Sequence, residues 1–247
     1  MKRIKLLVFI IPMVWGLHCE AFSEVPQYVV QELGVVLKDI NNMGHVIGRN
    51  NYRQCFIWQN GTYLYLNEPG EIDFSGYAIN NYGQVAGITS SFDAAVWDSG
   101  TVTNIGKLPG RYYAEPADIN DLTQVVGWSS HFIPGIGPDA GHATLWQDGQ
   151  IVDLGTLGGQ YSQAYAINNS SRIVGRAQLS NSDSRPFLWQ DGQMINLGLP
   201  FGQEIEGVST WASDINDKGQ VLVYHGYICD NGIWTDIGSL GGGWTGA

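Results

Sequence analysis

Three aspartates, Asp39, Asp118 and Asp214, each stand immediately before an Ile-Asn pair, in stretches that are otherwise near copies of one another. Two or more carboxyl groups at a set separation, one of them holding its proton, are what glycosidic cleavage needs: one protonates the leaving oxygen, and the other attacks or activates water. The competing account is local. Aspartate beside a turn bonds nearby backbone amides, and this is its commoner use. The sequence favours that account, so no catalytic residue is assigned; the alternative assignment is Asp39, Asp118 and Asp214.

A second set is aromatic. Tyr113 and Tyr161 lie seven residues before an Ile-Asn asparagine, and Trp244 falls in the same place when DIGSLGGGW is laid on DLGTLGGQY; Phe74 and Trp211 fall close to it. Rings exposed around one face suit the C–H faces of sugars, whereas packing against the next repeat is the alternative use. His131 and His142 share a long loop with Asp139 and join this candidate ligand-binding face. They are too few for zinc, which takes three or four protein ligands. DINDKG and DINDLT begin like calcium loops but carry Lys218 or Leu122 at the fifth position and no glutamate at the twelfth, so they read as turns and no metal is expected. No G-x-S-x-G, phosphate loop or Cys-x-x-Cys occurs, and no cofactor is expected.

These residues belong to a repeat. Ile-Asn recurs with its Asn at 41, 80, 120, 168 and 216, spaced by 39, 40, 48 and 48 residues. Each copy predicts four short strands: a, ending in Ile-Asn; b, of the QVVG kind; c, ending in Trp at 58, 97, 146 and 189, with Cys229 in that place in the fifth; and d, of the DLG kind. The strands are rich in Val, Ile and aromatics and bounded by Gly, Asn and Asp, and no stretch keeps a helical apolar period. Copies three and four carry Thr123 and Ser171 where the a–b turn has Gly, so a strained or different turn is expected there. Four antiparallel strands per 39–48 residues predict an all-β β-propeller of about five blades, with the tryptophans as core between them. The b–c loop varies most, with 10, 10, 19 and 14 residues from the Gly of b to the Trp of c, which points to the end holding the b–c and d–a connections as the binding face. YVVQELG at 28–34 reads as a spare strand d that could latch onto the last copy.

The chain of 247 residues holds 33 Gly and only 14% charged residues, and 12 Lys+Arg against 23 Asp+Glu give a net charge of −11. Such a surface repels phosphate backbones and argues against nucleic acid as a partner. MKRIK followed by LLVFIIPMVWGL has the form of a secretory signal, with cleavage after Ala21. The mature domain is then 22–247, secreted or periplasmic, without a stable membrane span. Cys55 and Cys229 sit on strand c of different blades and out of register, so they are expected to stay unpaired.

Around HATLW (142–146), DLGTLGG (153–159) and the INN.GQVVG stretches, the unit resembles the HAF repeat of bacterial exported proteins, over about residues 28–247. The resemblance implies export and an extracellular β-repeat without an assigned catalytic activity. Copies four and one have RPFLW and QCFIW in place of the His-Ala stretch. Near-identical loops favour weak, repeated binding over catalysis. The function expected is an exported binding or scaffold module for glycans or a surface protein, the alternative being a glycoside-cleaving enzyme.

Overall fold

The computed structural model describes residues 8–10, 28–30, 35–50, 52, 54–67, 74–133, 137–138, 141–200, 209–224 and 226–238. The five copies form five separate four-stranded antiparallel sheets, each with its strands in chain order. The a strands are Val36–Ile40, Ser75–Ile79, Tyr113–Ile119, Gly158–Ile167 and Ala212–Ile215. The b strands are Val46–Arg49, Val85–Ile88, Val125–Ser130, Ile173–Leu179 and Val221–Val223. Each sheet continues through strand c (Cys55–Gln59 in the first) to strand d, the exposed edge, such as Thr62–Tyr65.

Local chemistry explains the strictness of the unit. Every c–d hairpin turns on two residues with positive φ: Asn60-Gly61, Ser99-Gly100, Asp148-Gly149, Asp191-Gly192 and Asn231-Gly232. That is the turn whose twist matches paired strands. Strand d ends in a second fixed turn, in which the Asn or Asp of the DLG motif accepts a bond from the glycine two residues on, as in Asp153 to Gly155 at 2.8 Å and Asn196 to Gly198 at 2.8 Å. The Gly of strand b answers a close approach: a Cβ on Gly127 or Gly175 would sit 2.0 Å from the carbonyl oxygen of Glu115 or Gln163 on strand a. Thr123 and Ser171 keep the glycine turn rather than escaping it, at φ 61° and 60°. Their hydroxyls donate to Gln84 and Gln124 of the preceding sheet at 2.8 Å.

The core lies between neighbouring sheets. Ile47 and Ile57 of sheet one meet Phe74, Val85 and Trp97 of sheet two. Similar clusters join sheets two and three, three and four, and four and five. Trp58, Trp97 and Trp146 are buried as expected, Trp146 also donating to the Gly106 carbonyl at 3.1 Å. Cys229 is buried in the tryptophan place, and both it and Cys55 are free thiols. Of the segment expected to latch, Tyr28–Val30 pairs with Val8–Ile10, and residues 31–34 lie outside the described residues. Among the described residues no helix is long and apolar enough to cross a membrane.

Candidate functional site at the two ends of the central channel

The a strands pack side by side around a central channel, and at their Ile-Asn ends all five line one cavity of ≈ 320 Å³. The asparagines there form a relay. Asn41, Asn80, Asn120 and Asn168 each donate from Nδ2 to the carbonyl oxygen of the next copy's asparagine, at 2.8, 3.1, 3.0 and 3.0 Å. Each also accepts two amides of its own turn, as Asn120 Oδ1 does from Leu122 and Gln124 at 3.0 Å. The next residue makes a second relay: the amides of Asn42, Asn81, Asp121 and Asn169 donate at 2.9 Å to the side-chain oxygen of Asn81, Asp121, Asn169 and Asp217.

Each a strand carries a β-bulge two to four residues before its asparagine, and the bulge sets the aspartates. Asp39 takes the amide of Ile40 on one oxygen (2.8 Å) and that of Ile79, in the next sheet, on the other (2.9 Å). Asp118 does the same for Ile119 and Ile167, both at 2.8 Å. Asp214 holds Ile215 at 2.7 Å. Copies two and four have Ala78 and Ala166 here, and it is their isoleucine amides that the preceding aspartate reaches. Burial pushes the Asp118 carboxyl up to about 7, against the pull of its two amides and with the charges of Asp39 and Asp214 adding to the rise. Asp39 and Asp118 line the cavity, whereas Asp214 does not.

The opposite end of the same strands is unlike this. The bulge residues Lys38, Tyr77 and Tyr165 and the start of the strands carry an arc of partly exposed aromatic and charged side chains. Lys38 Nζ lies 5.2 Å from the Tyr77 ring centre. Trp128 meets Tyr165 edge-on at 6.2 Å. Gln163 accepts from the Tyr165 hydroxyl at 2.8 Å and from Arg176 Nε at 2.9 Å, and the Arg176 guanidinium lies 5.9 Å from the Tyr161 ring centre. Burial, then the charge of Glu115, raises the Tyr77 and Tyr113 hydroxyls, and burial raises Glu115 itself, so the tyrosines stay protonated donors. In the fifth sheet Trp211 and Tyr224 stack at 3.8 Å.

Of the candidates read from sequence, Tyr113 and Tyr161 fall on this end, half-buried, with Tyr161 also bonded to Ser184 Oγ at 3.2 Å. His131 is exposed beside the long loop. His142 is held by Asp153 at 2.8 Å and is a loop-closing residue rather than a free ligand group. The same place holds Asp93 bonded to Lys107, Gln54 bonded to Asn50 and the buried Arg185 beside Asp183. Phe74 is fully buried and leaves the candidate face for the core. Trp244 and Asp139 lie outside the described residues. Among the described residues no three His, Cys, Asp or Glu cluster as a metal site. Sequence reasoning missed Lys38, Tyr77, Glu115, Trp128, Tyr165 and Arg176. Lys38, Tyr77 and Tyr165 share the bulge position, which holds Ala117 and Ser213 in the other two copies.

Four-stranded sheets set around a channel, with the first strand of each innermost, define a β-propeller. No protein-family model and no curated protein matches the chain. Among solved structures it is similar to a gluconolactonase from Xanthomonas campestris, at 13% identity over 80% of this chain and 73% of that one, with a TM-score of 0.49. It is also similar to YCF48 bound to a D1 peptide, at 13% identity over 82% and 68% of the two chains, with a TM-score of 0.46. At such identities the likeness is one of fold alone.

Proposed function

We propose that this protein is an exported, non-catalytic propeller of the HAF-repeat kind that binds glycans, with a surface protein as the alternative ligand, at the end bearing Tyr77, Tyr113, Tyr161, Tyr165, Trp128 and Arg176. The observation that carries this reading is the arc itself: rings and hydrogen-bonding groups left partly open, on the end where the loops vary. The channel carboxylates meanwhile have backbone amides on their oxygens. Export is supported by the basic start and short apolar run of residues 1–17 and by the HAF resemblance. Protein recovered outside the cytoplasm then begins at Phe22, which N-terminal sequencing reads directly.

One observation favours the enzyme reading: a carboxyl at Asp118 titrating near neutrality is placed where a general acid would be useful. A glycan array followed by hydrolysis assays on the glycans retained separates the two. Binding without turnover, weakened in Tyr165→Ala and kept in Asp118→Ala, supports the module. Turnover lost in Asp118→Ala supports the enzyme. An empty array combined with capture of a surface protein through the Tyr165 face moves the ligand to protein.

A further inference from the structure

At the asparagine end of the channel all five a–b turns (41–45, 80–84, 120–124, 168–172 and 216–220) and all five c–d turns (59–62, 98–101, 147–150, 190–193 and 230–233) are described residues. The two sets of turns make one surface: Gln84 donates to Asp98 at 2.9 Å, Gln124 to Gln147 at 2.8 Å and Gln220 to Asp230 at 3.2 Å. The cavity of ≈ 320 Å³ lies at its middle. Within the a–b turns one position departs from repetition. The first residue is always Asn and the second Asn or Asp, but the third is Met43, Tyr82, Leu122, Ser170 or Lys218.

The amide of that third residue donates to the asparagine Oδ1, at 3.0 Å for Met43, 3.1 Å for Tyr82 and 3.0 Å for Leu122. The turn does not need their side chains, because Ser170 and Lys218 make the same bond in sheets four and five. Yet Met43 is 67% exposed, Tyr82 77% and Leu122 61%. Single apolar residues scattered over a surface need no explanation. These three are not scattered. Their turns are joined by the bonds from Asn42 to Asn81 and from Asn81 to Asp121, so they form an arc over sheets one to three beside the cavity. The charge around the arc has one sign. The ten turns carry six aspartates, Asp98, Asp121, Asp148, Asp191, Asp217 and Asp230, and their only lysine and arginine are Lys218 and Arg172. Asp39 and Asp118 line the cavity too, and no Lys, Arg or His does. An apolar centre within a polar rim is how protein interfaces are built, and a rim of one sign selects a partner of the other. Two copies of this chain meeting by this end would set like charges against each other.

We propose that the asparagine end is a docking surface for a basic segment of a partner protein, whose apolar side chains cover Met43, Tyr82 and Leu122 while a lysine or arginine enters the cavity between the aspartates. This surface is separate from the aromatic end proposed to bind glycans, so the two ends of the channel are occupied independently.

The test selects a displayed library of random short peptides on the immobilised full chain, then measures the recovered peptides in solution against the wild type and three variants. Recovered sequences should place lysine or arginine beside leucine, methionine or aromatic residues. Tyr82→Ser combined with Leu122→Ser should weaken their binding about tenfold or more, because the apolar contact is lost. Asp148→Asn combined with Asp191→Asn should slow association several-fold and flatten its salt dependence. Tyr165→Ala, at the opposite end, should bind them as the wild type does. The four side chains changed on the asparagine end are exposed, so these variants should melt with the wild type and report on docking rather than folding. Recovery of no peptides, or of acidic or uncharged ones, overturns the proposal. So does recovery of basic peptides that bind the Tyr82→Ser, Leu122→Ser variant equally well, which reduces the effect to unspecific charge attraction. Binding lost in Tyr165→Ala moves the peptides to the aromatic end and overturns it as well. Self-association of the full chain that the Tyr82→Ser, Leu122→Ser variant abolishes gives the surface to a second copy instead.

Discussion

At the asparagine end of the channel, five copies place the same side chain at the same point, and its bonds run from sheet to sheet. Three and five residues earlier on the same strands, the copies read Lys38 and Val36, Tyr77 and Ser75, Ala117 and Glu115, Tyr165 and Gln163, Ser213 and Trp211. A bond that crosses a junction must be repeated at every junction, so residues that build the ring cannot drift independently. Residues at the open end face water or one another and are free to differ. Repetition therefore marks what holds the ring together, and departure from repetition marks the end proposed to meet a ligand.

The comparison breaks most readily at Asn120. Its side chain donates to the Asn168 carbonyl and Gln124 and accepts two amides, all within a buried layer. Asn120→Ala leaves those groups unpaired and costs about 3 kcal/mol, read as a lower urea midpoint. Asn216→Ala, at the exposed fifth position, costs about 1 kcal/mol, since a solvated turn finds water. Equal losses at both sites would mean that the relay contributes nothing beyond its local turn.

Asp118→Asn comes next, at about 2 kcal/mol near pH 7, because the amide that replaces one oxygen turns its own N–H groups toward a backbone N–H. The carboxyl also gives a pH signature. Its folded value near 7 lies above the ordinary range near 4, so between those values the folded chain holds a proton that the unfolded chain has released. The stability this group contributes is complete below about pH 4 and is lost as pH rises through about 7. Urea midpoints measured across that window should fall with pH, and the difference between wild type and Asp118→Asn isolates the part due to this carboxyl. A difference that does not change with pH would show that Asp118 is ionised throughout.

The repeat length, four strands per copy and the turn chemistry were legible because each rests on local residue types: the Asn-Gly and Asp-Gly hairpins, the DLG turn and the apolar faces. The bulge was not. Gly76 and Ala78 flank it in sheet two as Leu37 and Asp39 do in sheet one, so no residue type announces it. Without it, the period-two alternation misplaces Tyr77 and Tyr165 relative to the aspartates. The exposure of Leu222 and Ile40 was equally hidden, because they are the same kinds of residue as their buried equivalents.

A smaller effect is expected at Thr123. A β-branched residue at φ 61° is strained, but its hydroxyl bonds Gln84 at 2.8 Å. Thr123→Gly relieves the first and loses the second, leaving a net change within about 1 kcal/mol. Thr123→Val keeps the strain and loses the bond, so it should be clearly the worse of the two in thermal melts. Equal melts would remove the hydroxyl from the account.

The smallest effect on stability, and the most informative one, is expected from removing single hydroxyls at the open end. Tyr165→Phe loses the donor to Gln163 but keeps the ring against Trp128, and Gln163 still receives Arg176. Tyr77→Phe likewise keeps the ring beside Lys38. Both side chains are partly exposed, so water replaces the lost partner, and each variant should melt within about 0.5 kcal/mol of wild type. Ligand retention should behave in the opposite way. A hydroxyl that donates to a bound glycan is buried by that glycan, and its loss weakens binding roughly tenfold, the equivalent of about 1.4 kcal/mol. Stability and binding thus separate at this end and move together at Asn120. Variants at Tyr77 and Tyr165 that melt several degrees low while leaving retention untouched would make the aromatic arc a piece of the scaffold, and the distinction between the two ends of the channel would fall.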